Sequence, residues 1–225
     1  MPALKKNQIF QTYLYLITPP NIREENLSEF AEALEEIVDN EIISCLQIRL
    51  KDSGEIAVTN DIIRTVSKTL VPIAQSNNVA VIMNDSPELA SELGCDGVHI
   101  GQEDISYSKA RSIMGDQAII GVTCHNSKHL AINASELGAD YVAFGAFFPT
   151  ETKSPKTSAY PELLKWWSEI TQIPCVAIGG ITPQNCPPLL QTGVEFLAVS
   201  SGIWNHPAGH AEAVSDFEKQ LMKKN

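Results

Sequence analysis

The stretch YVAFGAFF, residues 141–148, is apolar at every position and then breaks at Pro149 into the polar TETKSPK of residues 150–156. A strand with one wet face alternates polar and apolar residues. An unbroken apolar run ending in a polar loop instead fits a parallel strand covered on both faces. Seven further runs are largely apolar with little alternation: YLYLIT (13–18), CLQIRL (45–50), VAVIMN (79–84), GVHI (97–100), AIIGVTC (118–124), CVAIGG (175–180) and FLAVSS (196–201).

The segments between these runs carry helical spacing. Leu27, Phe30, Ala31, Leu34 and Ile37 share one face of the first, and Leu163, Leu164, Trp167 and Ile170 share one face of the sixth. Start signals precede several of them: Asn60 before DIIRTVSKTLVPIA, Ser86-Pro87 before ELASELG, and Thr182-Pro183 before QNCPPLLQTG. Gly94, Gly115, Gly138 and Gly193 stand where helices stop. Pro187-Pro188 shortens or delays the seventh helix. Eight strand–helix units in a chain of 225 residues predict an α/β fold, a single-domain (β/α)8 TIM barrel. The expected domain spans residues 1–225, with the barrel core at about 13–220 and residues 1–12 as an N-terminal extension. An open doubly wound sheet would carry a GxGxxG turn after its first strand, and LITPPNIRE has none.

Composition limits the partners. Asp and Glu number 27 against 16 Lys and Arg, a net charge of −11, which argues against nucleic-acid or anionic-membrane surfaces. It does not argue against a local phosphate site made of backbone N–H groups and a few cations. The five cysteines (45, 95, 124, 175 and 186) are odd in number, form no CxxC and lie in or beside apolar runs, so reduced core thiols are expected. The apolar run near the N-terminus falls well short of the roughly 18 residues a spanning helix needs. A cytoplasmic protein is the expectation.

In a barrel of this kind the chemistry sits on loops at the C-terminal ends of the strands. Gln47, Arg49 and Lys51 alternate along the second run, so all three face one side. The third run ends in Asn84-Asp85, the fourth leads through His99 to Asp104, and the fifth ends Thr123-Cys124-His125. The sixth is followed by Thr150, Thr152 and Lys153, the seventh ends Gly179-Gly180, and the eighth ends Ser200-Ser201. Cations and hydroxyls suit an oxyanion-rich group such as a diphosphate. Asp85 and Asp104 suit a hard divalent cation, magnesium, held partly by substrate phosphates. Gly180 with Ser200 and Ser201 suits a second phosphate.

Plainer roles stand beside these. Arg49 and Lys51 could pair with Asp85 as a structural ion pair, and Asp104 could cap a following helix. His99 could be a satisfied core histidine, and the Gly-Gly and Ser-Ser pairs could be simple turn chemistry. His125 and His129 have i, i+4 spacing but no further zinc ligand at a matching distance.

Taken together and in order, QIRLK (47–51), Asn84-Asp85, GVHIGQED (97–104), GVTCH (121–125), FFPTETK (147–153), AIGGIT (177–182) and AVSSGIW (198–204) resemble the thiamine-phosphate synthases. The resemblance runs from Tyr13 to the last helix and implies a TIM-barrel transferase. Such an enzyme joins 4-amino-5-hydroxymethyl-2-methylpyrimidine diphosphate to 4-methyl-5-(2-phosphoethyl)thiazole, giving thiamine phosphate and pyrophosphate through a dissociative, carbocation-like step. It implies that Gln47, Arg49, Lys51 and Asn84 hold the pyrimidine diphosphate and that Asp85 and Asp104 bind Mg2+. Thr123 and Lys153 would contact pyrophosphate, while Thr150, Thr152, Gly180, Ser200 and Ser201 would hold the thiazole phosphate. Lys51, Thr123 and Lys153 are the expected catalytic groups.

The partners implied are these two small molecules, with homo-oligomerisation left open. The chain departs from the family at three places: Leu50 replaces a Glu, Ser86 an Arg, and Pro19 an Asp. Leu50 is expected to point away from Arg49 and Lys51. Ser86 removes a charge from beside the metal pair. Related alternatives are a thiazole tautomerase of the same superfamily and a non-catalytic barrel that binds thiamine phosphate.

Overall fold

The apolar runs become strands because each side of each run has a dry surface to cover. The computed structural model describes residues 12–51, 57–150 and 157–222. Eight parallel strands pair in chain order and close on themselves. They are β1 (Tyr13–Ile17), β2 (Ile43–Ile48), β3 (Ala80–Asn84), β4 (Gly97–Ile100), β5 (Ile119–His125), β6 (Tyr141–Gly145), β7 (Cys175–Ile178) and β8 (Phe196–Val199). The seam is shut by β8 lying along β1, from Tyr13 opposite Phe196 to Leu16 opposite Val199.

Successive strand residues point to opposite faces, which divides the core in two. Inside the barrel lie Tyr15, Ile17, Cys45, Ile82, Tyr141, Ala143, Val176 and Ala198. Outside it, Leu14, Leu16, Leu46, Ile48, Val81, Met83, Val142 and Phe144 meet helix residues such as Leu34, Leu70, Trp167 and Phe217. Each such side chain contributes about 1.5–3 kcal/mol by leaving water. Leu50 joins the outer layer, as its place in the alternation predicts.

The helices are α1 (Glu24–Glu35), α2 (Asn60–Ser76), α3 (Pro87–Glu92), α4 (Tyr107–Met114), α5 (Lys128–Leu137), α6 (Pro161–Ile170), α7 (Pro187–Leu190), α8 (Ser201–Trp204) and α9 (His210–Met222). Ser86 caps α3 as expected, its hydroxyl accepting the Leu89 N–H at 3.3 Å. Three expectations need correction. The cap of α2 is Thr59, whose hydroxyl accepts the Ile62 N–H, and Asn60 is already helical. Thr182-Pro183 opens only a turn, in which the Thr182 carbonyl accepts from the Asn185 and Cys186 amides. Regular helix waits for Pro187, because prolines without N–H groups are tolerated only in a first turn. Ile170 leaves the buried face of α6 and is largely exposed.

Several strands also stop short of their apolar runs. Arg49, Lys51, Phe147, Phe148, Gly179 and Gly180 follow the ladders as loop, while Ser200 precedes α8 and Ser201 begins it. The five cysteines are free, and burial pushes the thiols of Cys95 and Cys124 up to about 12, far from thiolate reactivity. Among the described residues, no helix is long and apolar enough to cross a membrane.

Candidate active site

At the C-terminal end of β2 the chain is anchored before any functional side chain leaves it. The fully buried Thr18 hydroxyl accepts the Arg49 N–H at 2.9 Å, and Pro20 accepts the Lys51 N–H at 3.1 Å. The Arg23 guanidinium donates to the carbonyls of Ile22 at 2.7 Å and of Pro20 and Lys51 at 3.3 Å. Arg49 and Lys51 therefore project from a backbone stitched to the β1–α1 loop. Burial lowers the pKa of the Arg49 guanidinium, with Asp85 opposing it, and an arginine so placed still carries its charge.

Lys51 donates to Asp85 Oδ2 at 2.6 Å, so the ion pair weighed from sequence exists. It sits at the cavity mouth with the two side chains 45% and 36% exposed, too wet to be a buried strut. Asp85 adopts a left-handed backbone, φ 67°, that costs a non-glycine residue about 1–2 kcal/mol, and its N–H is fixed to the His99 carbonyl at 2.8 Å. Asp104 does not cap α4, whose N-cap is Ser106; its Oδ2 instead accepts the Gly101 N–H at 2.7 Å.

The two carboxylates interact directly and their pKa values move apart. Burial pushes Asp85 up, but hydrogen bonding and charge from Lys51, helped by Asp104 and His99, bring it below its usual range. Burial and the neighbouring Asp85 charge hold Asp104 above its usual range against the Gly101 hydrogen bond. Two adjacent carboxylates in this tension fit a cation between them. Among the described residues no group of three or more His, Cys, Asp or Glu gathers to hold a metal, so a cation here would draw its other ligands from water or substrate, as magnesium does. His125 and His129 do not combine: His125 faces the cavity, while His129 lies beside Asn133 on α5.

The floor is polar. His99 places Nε2 2.7 Å from the Thr123 hydroxyl and Nδ1 2.9 Å from the Tyr141 hydroxyl, and the Tyr15 hydroxyl lies 2.9 Å from that of Tyr141.

The opposite wall is built from backbone. The Phe147 and Phe148 amides donate to the Ile178 and Gly179 carbonyls at 3.1 and 3.0 Å, zipping the loop after β6 to the turn after β7. Gly180 has φ 61°, and a Cβ there would overlap the Pro149 carbonyl oxygen, so only glycine fits. Asn185 braces the turn, donating to the Gly180 carbonyl and accepting the Thr182 N–H, both at 2.8 Å.

These walls enclose a cavity of about 370 Å³. The family model for thiamine monophosphate synthase matches residues 14–203. The chain belongs to that family. Among thiamine-phosphate synthases, that of Rhodospirillum centenum is 55% identical over 208 residues, covering 92% of this chain and 97% of the relative. That of Hyphomonas neptunium is 47% identical over 207 residues, covering 92% of each. The solved thiamine phosphate pyrophosphorylase of Pyrococcus furiosus superposes with a TM-score of 0.77 at 27% identity, covering 95% of this chain and 96% of that one. The chain is thus a transferase of the thiamine monophosphate synthase family, built as a TIM barrel.

Of the residues singled out in the sequence, Gln47, Arg49, Lys51, Asn84, Asp85, Asp104, Thr123, Thr150, Gly180, Ser200 and Ser201 all line this one cavity. Thr152 and Lys153 lie outside the described residues, as does Glu151. Tyr15, Gln102 and Tyr141 line it too and were not anticipated. The signal for the tyrosines was available: each stands at an inward position of its strand, where a hydroxyl needs a partner. Gln102 reaches the site by donating to the Thr123 carbonyl at 2.6 Å, a contact from the loop after β4 to strand β5 that no local pattern announces.

Proposed function

We propose that this chain couples 4-amino-5-hydroxymethyl-2-methylpyrimidine diphosphate to 4-methyl-5-(2-phosphoethyl)thiazole, releasing pyrophosphate and forming thiamine phosphate. The observation that carries the reading is the linked group Lys51–Asp85–Asp104 at the mouth of a cavity whose other wall is glycine and hydroxyl. A site that stabilises a departing diphosphate needs fixed cations and a paired-carboxylate metal position on one side. It also needs a neutral surface on the other side, where the second substrate can wait.

Arg49 and Lys51, with Thr123 at the floor, would grip the diphosphate, and Gln47 and Asn84 would orient the pyrimidine. Asp85 and Asp104 would hold Mg2+, which when bound supplies positive charge to the leaving pyrophosphate. Thr150, Gly180, Ser200 and Ser201 would hold the thiazole phosphate. Lys153 and Thr152 belong to the proposal on their sequence positions alone.

The residues suit a dissociative step. The described cavity holds no thiolate, and the electron-rich aminopyrimidine itself stabilises the cation left behind. The chain's tasks are then to steady the departing charge and to keep the thiazole nitrogen in line. We further propose that residues 1–225 act as one cytoplasmic domain. The deciding experiment incubates the purified chain with both substrates and Mg2+ and follows thiamine phosphate and pyrophosphate. A folded chain that forms neither would end the proposal. Conversion of the thiazole alone would point to the tautomerase, and binding of thiamine phosphate without turnover to a silent barrel.

A further inference from the structure

The four side chains of the floor form an ordered donor line, and its direction can be worked out from their surroundings. Tyr15 and Tyr141 are only 4% and 3% exposed, and burial raises both phenol pKa values well above the ordinary one, so both are neutral O–H groups. Each phenol has one hydrogen to give. Tyr15 has as polar neighbours the Tyr141 hydroxyl and the thiol of Cys45, its register partner on β2. Sulfur is a weak acceptor, so the Tyr15 hydrogen goes to the Tyr141 oxygen. In the neutral ring the Tyr141 hydrogen is then directed to His99 Nδ1, which accepts it, and the ring carries its proton on Nε2. That N–H donates to the Thr123 oxygen at 2.7 Å and leaves the Thr123 hydrogen turned to the cavity. In the reverse order the hydrogen of the nearly buried Tyr15 is left to the Cys45 sulfur, a weak acceptor, and Thr123 meets an anion with its lone pairs.

A second observation shows that the barrel is shaped around this line. Gly121 lies opposite Tyr141 across the β5–β6 ladder, and a Cβ there would overlap the Tyr141 ring itself. Its φ is not in the left-handed region, so the glycine is required by the space that the ring takes. Tyr141 also lies nearly parallel to His99, with ring centroids 5.6 Å apart at 21°, which fixes the imidazole in plane as well as in tautomer.

We infer that Tyr15, Tyr141 and His99 are positioning residues, a one-way hydrogen-bond relay that holds the Thr123 hydroxyl as a donor to the anion leaving at the cavity floor. This deepens the proposed function and rests on its reading of Thr123 as a pyrophosphate contact. Such networks polarise along their length, so the effect of a distant member passes through Thr123.

The test is a double-mutant cycle on two readouts, kcat for coupling and affinity for Mg2+-pyrophosphate by calorimetry, with unfolding midpoints recorded for every variant. Thr123→Val should lower both by about ten-fold or more, the scale of one hydrogen bond to a charged group. Tyr141→Phe should lower both several-fold alone and by less than about two-fold in the Thr123→Val background. His99→Gln, which can place an amide N–H where Nε2 stands, should retain most of the function; His99→Asn, which reaches only toward Tyr141, should not. In the intact chain, nitrogen NMR of the histidine rings should show His99 as the neutral Nε2–H tautomer. Additive losses for Thr123→Val and Tyr141→Phe, or an Nδ1–H ring, overturn the relay while leaving Thr123 as an anion contact. A Thr123→Val chain of undiminished affinity removes that contact and the relay with it. If the intact chain does not couple the substrates, the proposed reaction fails, and the relay is still judged by pyrophosphate affinity and the tautomer.

Discussion

On the β2–β4 side of the cavity mouth the surface is made of charged side chains, Arg49, Lys51, Asp85 and Asp104. On the β6–β8 side it is made of glycine, hydroxyls and backbone amides, with the loop after β6 laid directly on the Gly179-Gly180 turn. The charged side keeps its chemistry in side-chain tips that reach the solvent, so chemistry and stability are separable there. On the neutral side the shape of the backbone is itself the site. A side chain added at Gly180 moves the wall itself, so an expected loss of activity there comes with a loss of stability.

The largest expected effect tests the charged side. Asp104→Ala should lower coupling turnover by about a hundred-fold or more, while its thermal midpoint stays near that of the parent chain. Pyrophosphate release and a melting curve check this together, and a large fall in midpoint would break the proposed separation. On the neutral side, Gly180→Ala adds a Cβ against the Pro149 oxygen at a left-handed φ and should cost about 1–3 kcal/mol in urea unfolding, with turnover falling alongside. Parent-like stability would show that the wall is soft.

Ser86 sharpens the contrast. It stands beside the charged pair but serves as the α3 cap, so Ser86→Ala should cost about 1 kcal/mol and leave kcat near its parent value. A strong loss of turnover would restore Ser86 to the site.

The smallest effect concerns the sign of the carboxylate pair in chelator-treated protein. Asp104, held above its usual range, costs stability when ionised, so Asp104→Asn should raise the midpoint slightly at neutral pH. The gain should vanish as pH falls below the ordinary carboxylate range. Asp85, held below that range, contributes stability above its unfolded pKa that is lost as pH falls through its folded value, so Asp85→Asn should lower the neutral midpoint. Equal signs for the two variants would disprove the coupling.

Much of this was legible in the chain. The continuous apolar runs named the strands because both faces of a barrel strand are dry, and strand ends named the site because loops there converge. Strand boundaries were less legible: the apolar run of residues 141–148 continues past β6, because Phe147 and Phe148 pack against the core from a loop. Lys51 and Asp85 could be read from the sequence as chemistry or as a strut. Their exposure, rather than their identity, separates the two.

Run length and spacing were enough for the barrel, and the ordered motifs for the family and the residue types at the strand ends, because both are one-dimensional. Only closure of the barrel set the relations between strands. It set Tyr141 into the space that Gly121 vacates, joined Tyr15 to Thr123 through His99, and pressed Asp104 against Asp85 so that one carboxyl gives up what the other gains. Those are contacts across gaps of 19 to 126 residues, and no local pattern carries them because they exist only once the barrel has closed.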